Sequence, residues 1–254
     1  MIPPQLGLPD RPDKPRRIGR TAILDKGIGI QALEDLLGVS GTYVDLAKFG
    51  WGTAMVDPCL EDRISLLAAH DVDVCLGGTL FELCYLKGEL DAYRRWLVDL
   101  GVNCVEISDG TLEMKPQEKL QIIRDFCSDF TVYSEVGSKD STEIVAPARW
   151  VAAIQQELEA GSSYVILEGR ESGTAGLYRA SGEIRMGLIE EILDAGIDPD
   201  RLIFEAPNKA SQTFMLKRLG PNANLGNIPV TDVLALETLR LGLRSDTLLP
   251  VHLE

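Results

Sequence analysis

Short apolar runs alternate along the chain with longer segments in which apolar residues recur at helical spacing. An apolar run of about four to eight residues between polar or glycine residues is typical of a buried strand. Such runs predict strands over residues 21–25, 43–48, 72–77, 103–107, 130–135, 164–168, 202–205 and 223–226. The longer segments predict helices over residues 30–37, 58–69, 90–100, 147–160, 186–194, 211–219 and 230–241, and one more that begins after Pro116.

Strands that alternate with helices predict a parallel sheet, and eight such units predict an α/β fold of the TIM (β/α)8 barrel type. A doubly wound open sheet is the alternative, which the count of eight disfavours. Gly27 and Gly29 follow the first strand, but Ala32 stands where a dinucleotide-binding fingerprint has its third glycine. We predict a single domain, with an extended proline-rich arm over residues 1–18 and the barrel over residues 19–254.

Charge and composition exclude several classes of function. The 254 residues carry a formal net charge of −14, which disfavours nucleic-acid partners and basic membrane-binding surfaces. Five scattered cysteines without a CxxC pair and only two histidines give no zinc-type cluster, and they suit a reducing cytoplasm. No apolar run reaches the roughly 18 residues of a membrane span, and no leader-like segment opens the chain. We expect a soluble cytoplasmic protein without nucleic-acid or membrane partners.

The apolar runs end in charged or small polar residues. In a barrel of this type the carboxyl ends of the strands converge on one mouth, where active sites lie. Glutamates at equivalent points of four successive strands favour a polar site there over the alternative, a salt-bridged layer that closes the barrel. The strand-end residues are Asp25, Lys26, Lys48, residues 77–79, Glu106, Ser108, Asp109, Glu135, Glu168, Arg170, Glu171, Glu205, Asn224 and Asn227.

Clustered carboxylates repel one another unless cations lie between them. The lysines and arginines near the strand ends supply some of these cations, and a bound metal would supply more. Because the available ligands are oxygens, the expected metal is Mg²⁺. Such a site suits a small, multiply anionic substrate such as a phosphate-bearing carboxylic acid. Backbone N–H groups of residues 169–176 could approach its phosphate, although a lid or a simple turn explains those glycines equally well.

Nine segments, in order from about residue 19 to residue 247, resemble the phosphosulfolactate synthase family. They are LDKG (24–27), YVDLAKFGWGT (43–53), GGTLFE (77–82), VEISDG (105–110), EVG (135–137), EGRESG (168–173), FEAP (204–207), LGNI (225–228) and LETLRLGLRSDT (236–247). The resemblance implies a TIM-barrel, Mg²⁺-dependent lyase that adds sulfite to phosphoenolpyruvate and forms (2R)-3-sulfo-2-phospholactate. In methanogens this reaction opens a route to coenzyme M. The family also includes plant heat-stress proteins without a clear synthase role.

The resemblance and the strand-end residues together give a hypothesis for each side chain. A lysine supplies the proton to C2 of the substrate, and the substrate's oxygens are held by basic and polar groups. The expected proton donor is Lys139, with Lys26 as the alternative. The expected substrate-binding residues are Lys48, Arg170, Ser108, Asn208 and Asn227, and the expected Mg²⁺ ligands are Glu135, Glu168 and Glu205. We also expect a homo-oligomer.

Two loops depart from the pattern of methanogen members. Residues 138–141 read Ser-Lys-Asp-Ser and residues 174–176 read Thr-Ala-Gly, where those members have more lysines. Fewer cations near the mouth would weaken the binding of a trianion together with sulfite. A different small phosphorylated or carboxylated substrate, or a non-catalytic stress-related role, therefore stays open as an alternative.

Overall fold

The strands and helices alternate from β1 to α9 in a computed structural model that describes residues 6–137 and 145–252. The strands are β1 (Thr21–Asp25), β2 (Leu46–Phe49), β3 (Asp73–Leu76), β4 (Cys104–Ile107), β5 (Thr131–Val136), β6 (Tyr164–Leu167), β7 (Leu202–Glu205) and β8 (Leu225–Pro229). The helices are α1 (Ile30–Ser40), α2 (Leu60–Ala68), α3 (Gly78–Leu86), α4 (Leu90–Asp99), α5 (Pro116–Phe126), α6 (Pro147–Ala160), α7 (Met186–Asp194), α8 (Lys209–Leu219), α9 (Val233–Arg240) and α10 (Leu248–His252).

The eight strands form one parallel sheet in the order β3-β2-β1-β8-β7-β6-β5-β4, so the sheet curls until its two edge strands meet. Side chains cross the seam between β3 and β4. Near its lower end, Nδ2 of Asn103 donates to Asp73 at 2.9 Å. Near its upper end, the backbone N–H of Gly78 donates to Glu106 at 2.7 Å. The predicted TIM barrel is confirmed.

The barrel interior is apolar in its middle and polar at its carboxyl end. A small buried set fills the centre, while two larger clusters lie between the strands and the surrounding helices. The central set is Ala22, Leu46, Cys75, Cys104, Tyr133, Ile166 and Ile203. This packed layer separates the two ends of the barrel and forms the floor of the mouth.

Most predicted elements lie within a few residues of their observed bounds, and β2 begins at Leu46 instead of residue 43. Two helices, α3 and the short α10, were not predicted. The sequence prediction missed α3, because apolar residues such as Leu80, Phe81 and Leu83 are spread around it rather than confined to one face. Strand β8 begins at Leu225 instead of residue 223, and its mixed sequence LGNIP gives no clear alternation. None of the helices in the described ranges is both long enough and apolar enough to cross a bilayer.

The arm packs under the amino-terminal end of the barrel through buried ion pairs. Arg11 binds Glu237 at 2.8 Å and Arg16 binds Asp45 at 3.2 Å. Asp45 also accepts the backbone N–H of Thr21 at 2.8 Å, which ties the arm to the first strand. The described part of the arm is therefore anchored to the barrel by side chains rather than by a strand or helix.

Replacing Asp45 with alanine should lower the free energy of unfolding by about 3 to 5 kcal/mol, because it leaves a buried guanidinium without its carboxylate. Urea denaturation at neutral pH measures the loss. Glu183→Ala is the control, since Glu183 forms a 3.4 Å pair with Arg179 in which both side chains are mostly exposed. That variant should lose no more than about 1 kcal/mol. Equal losses in the two variants would contradict the buried-pair argument.

Candidate active site

A cavity of about 740 Å³ opens at the carboxyl end of the strands. Its wall includes the side chains of four glutamates that are almost wholly buried, each at the end of a different strand. Polar groups of β2 and β8 and the loop after β6 complete it. The lining includes Lys48, Glu106, Glu135, Glu168, Glu205, Asn227, Arg170 and Trp51.

Lys48 lies at the centre of this wall. Its Nζ is 3.0 Å from Glu106 and 3.1 Å from Glu205, and the residue is only 8% exposed. Burial by itself would lower the pKa of Lys48, but the charges of Glu106 and then Glu205 outweigh it and raise the pKa well above 10.5. Lys48 is therefore a permanent cation that joins β2 to β4 and β7.

Backbone N–H groups hold the same two carboxylates from the other side. Gly78 donates to Oε1 of Glu106 at 2.7 Å, and Gly169 donates to Oε2 of Glu205 at 2.8 Å. Each carboxylate thus has the charge of Lys48 on one side and a backbone donor on the other, which fixes its orientation. The role of Glu106 was missed from sequence, although it was among the strand-end residues, because its partner Lys48 is two strands away.

The loop after β6 fixes the remaining backbone around the glutamates. Arg170 N–H donates to the carboxylate of Glu168 at 2.5 Å, and Leu177 N–H donates to the Glu168 carbonyl at 2.8 Å. The buried hydroxyl of Tyr178 donates to the Glu205 carbonyl at 2.6 Å. Sequence reasoning gave Tyr178 no role, because a tyrosine in a loop has no distinguishing pattern.

Three of the five predicted substrate-binding residues line the cavity, and two do not. Lys48, Arg170 and Asn227 line the cavity. Ser108 is fully buried beside it and donates to Glu82 at 2.6 Å. Asn208 is exposed and caps α8 by accepting the N–H of Ser211 at 3.0 Å.

Of the two candidate proton donors, the structure describes one, Lys26. The side chain of Lys26 is 53% exposed at the rim, 3.4 Å from Glu171 and above the ring of Trp51. Lys139 lies outside the described residues. The structure therefore gives a position for Lys26 alone.

The carboxylates of the cavity have the right chemistry for Mg²⁺. Within residues 6–137 and 145–252, no three or more histidine, cysteine, aspartate or glutamate side chains are grouped to hold a metal. Mg²⁺ in proteins is commonly held by about one or two carboxylates, with water and substrate oxygens completing its shell. Glu135 and Glu168 offer such ligands at the cavity wall, whereas both oxygens of Glu205 already accept from Lys48 and Gly169. The donor set fits an ion that binds together with the substrate.

Comparison with known proteins gives this site its context. The family model described as (2R)-phospho-3-sulfolactate synthase (ComA) matches residues 9–246. The chain belongs to the phosphosulfolactate synthase family. It is 44% identical to the phosphosulfolactate synthase of Bacillus subtilis, over 95% of this chain and 97% of the relative. It is 40% identical to that of Methanothermobacter thermautotrophicus, over 96% and 97%.

Membership of the phosphosulfolactate synthase family makes the chain an enzyme of lyase type. Solved structures add support for the fold alone. The YdjI aldolase of Escherichia coli K12 superposes with a TM-score of 0.55 at 11% sequence identity, covering 86% of this chain and 78% of the aldolase. The resemblance inferred from the sequence motifs is confirmed.

Proposed function

We propose that this enzyme joins sulfite to phosphoenolpyruvate and forms (2R)-3-sulfo-2-phospholactate in a Mg²⁺-dependent reaction. The observation that carries the proposal is the family match over nearly the whole chain, at residues 9–246. The mouth of the barrel supports it, because a buried lysine, an arginine and several carboxylates surround a cavity of suitable size. Small ligands commonly occupy cavities of about 300 to 1,000 Å³.

In this reaction the sulfur lone pair of sulfite forms a bond to C3 of phosphoenolpyruvate. The electrons of the C2–C3 double bond move onto C2 and the adjoining carboxylate, and a proton then binds C2. No bond to phosphate breaks, so the phosphoryl group remains on the product. The site must therefore stabilise negative charge on the substrate carboxylate and supply one proton.

Lys48 suits the first task and not the second. Its raised pKa keeps it charged, so it offsets part of the negative charge of Glu106 and Glu205 beside the developing charge on the substrate. Arg170, at the cavity wall, is suited to hold an oxyanion of phosphate or sulfite through two N–H groups. The proton donor is Lys139 or Lys26, as the sequence predicts. Mg²⁺, held by Glu135, Glu168 and Glu205 or by a subset of them, would neutralise the substrate carboxylate.

The purified protein should consume phosphoenolpyruvate and sulfite together and produce a compound with a new carbon–sulfur bond. Mass spectrometry and phosphorus NMR detect that product, and omission of Mg²⁺ or its chelation should stop the reaction. Other inorganic nucleophiles in place of sulfite are the controls. In the same assay, Lys139→Ala and Lys26→Ala identify the proton donor as the variant that loses turnover. Absence of the product under all these conditions would overturn the proposal in favour of another small anionic substrate.

The proposal also includes the reducing cytoplasm as the compartment and a homo-oligomer as the assembled form. Exposed apolar side chains such as Val56 and Leu86 give the self-association a physical basis. Light scattering on the purified protein measures the assembly state.

A further inference from the structure

Strand β8 carries a bulge at the mouth of the barrel. Thr21 of β1 pairs with Leu225, but Ile23 pairs with Ile228, so two residues of β8 lie opposite Ala22 alone. Those two residues are Gly226 and Asn227, and both face the barrel interior, where they line a small void beneath Lys48. Bulges of this kind redirect side chains, and they are frequent beside active sites.

The backbone of Asn227 is in the left-handed region, with φ at +54°. Asparagine adopts this conformation more readily than most residues, but it still costs free energy relative to extended backbone. Within a strand, the surrounding structure must impose such a conformation. Strained backbone of this kind concentrates at functional sites, so the geometry calls for an explanation in terms of what the side chain does.

The Asn227 side chain adds a second cost. The residue is only 6% exposed, and its Oδ1 is buried without a hydrogen-bond partner among the residues that the structure describes. A buried polar atom without a partner is destabilising. Both costs fall on one residue, which lines the cavity and the void together with Lys48 and Glu205.

We propose that Asn227 is a substrate-contacting residue. Its Oδ1 is buried in the wall and, as an acceptor, cannot bind an anion, so the contact is made by the other end of the carboxamide: Nδ2, which makes no hydrogen bond among the described residues, donates to an oxyanion of the bound substrate. A neutral amide suits this position because it donates a hydrogen bond without forming a further ion pair with the surrounding glutamates. It also adds no negative charge to a cavity that must admit an anion. The identity of the substrate in this inference rests on the proposed function, whereas the contact between Asn227 and an anion does not.

The substitution Asn227→Gly tests the contact. Glycine adopts the left-handed backbone without strain, so the thermal unfolding midpoint should stay the same or rise. Loss of the amide should reduce kcat/KM for phosphoenolpyruvate by about 10- to 100-fold, the effect of removing a hydrogen bond to a charged group. Asn227→Asp keeps the shape and adds a charge, so it should reduce kcat/KM further.

Asp71→Gly is the matched control. Asp71 has the same φ of +54°, but it lies exposed in the turn after α2, near the amino-terminal end of the barrel. Relief of its backbone should change the unfolding midpoint in the same direction and leave kcat/KM unaltered. If Asn227→Gly retains wild-type kcat/KM, or loses activity only in proportion to a loss of stability, the inference is wrong.

Calorimetric titration with inorganic phosphate separates this inference from the proposed function. Weaker phosphate binding by Asn227→Gly than by the wild type and Asp71→Gly supports the contact, even if no sulfite is added to phosphoenolpyruvate. Equal affinities, or no phosphate binding by the wild type, overturn it. A wild-type protein that binds phosphate but forms no carbon–sulfur product contradicts only the proposed function.

Discussion

Replacing Lys48 with methionine is expected to reduce kcat by about 100-fold or more and to lower the free energy of unfolding by about 3 to 5 kcal/mol. The stability loss follows because Glu106 and Glu205 would remain buried without the ammonium that lies 3.0 and 3.1 Å from them. The loss of turnover follows because the cavity loses the cation that offsets its carboxylates, so an anionic substrate is repelled more strongly. Denaturant unfolding and steady-state kinetics measure the two effects separately.

Two further variants show whether the effect comes from the buried charges. Lys48→Met combined with Glu205→Gln removes one of the stranded carboxylates, so it should recover part of the stability but none of the turnover. Lys209→Met is the surface control, because the side chain of Lys209 is half-exposed in its 2.7 Å pair with Asp246, so its loss should lower the free energy of unfolding far less. If Lys48→Met is no less stable than this control, Lys48 does not balance the charges of the mouth.

The pH dependence has a definite sign. The folded-state pKa of Lys48 is raised, so its stabilising contribution is fully present below the unfolded-state value and is lost only as the pH rises through the folded-state value. Lys48 stays protonated from about pH 6 to pH 9, so its own titration should not change the difference in unfolding free energy between the wild type and Lys48→Met in this range. A difference that shrinks as the pH rises through this range would contradict the raised pKa of Lys48.

The sequence predicts the barrel well because the βα alternation is a local pattern. It also predicts most of the residues at the mouth, since the end of an apolar run is visible in one dimension. Asn224 is the exception, because it precedes β8 and accepts the backbone N–H of Arg20 at the amino-terminal end of the barrel. It does not show which way each side chain points. Ser108 donates to Glu82 and does not line the cavity. Asn208 points outward and caps α8. Its position three residues before Ser211 is typical of a helix N-cap and could have predicted this role.

The sequence pattern also did not predict which distant residues pair or where a strand is irregular, because both depend on residues far apart in the chain. Nothing near Lys48 in the chain indicates that it would lie between Glu106 and Glu205, which come from β4 and β7. The bulge at Asn227 depends on the register between β8 and β1, which no local motif specifies. Sequence reasoning thus identified the groups at the mouth, and only the three-dimensional structure identified how they are paired.

Two glycines of the loop after β6 contact the glutamates of the cavity wall, whereas the sequence suggested that they contact phosphate. Their backbone N–H groups were possible phosphate ligands, but Gly169 donates to Glu205 at 2.8 Å. Gly176 lies against the carbonyl of Glu168, so closely that a Cβ there would overlap the carbonyl oxygen. These glycines allow the loop to approach and hold the glutamates.

Gly176→Ala should therefore be among the most damaging single substitutions in the enzyme. The new methyl group overlaps the Glu168 carbonyl, which is backbone and cannot rotate away, and φ at Gly176 is +60°. Overpacking and left-handed strain together should cost about 2 to 5 kcal/mol of stability. Displacement of Glu168 should lower kcat/KM by about 100-fold or more in the protein that remains folded, since small misplacements of a catalytic group have effects of this size.

Gly182→Ala separates the two causes, because Gly182 lies in the same loop with φ at +82° but has its nearest contact at 3.7 Å, an ordinary van der Waals distance. Gly182→Ala should lose about 1 to 2 kcal/mol of unfolding free energy through left-handed strain alone. Because no atom is overlapped, its kcat/KM should stay close to that of the wild type. Activities of both variants are compared well below their unfolding midpoints, per folded molecule. Similar kcat/KM values in the two variants would mean that the approach of Gly176 does not position Glu168, and that the loop after β6 contributes to stability alone.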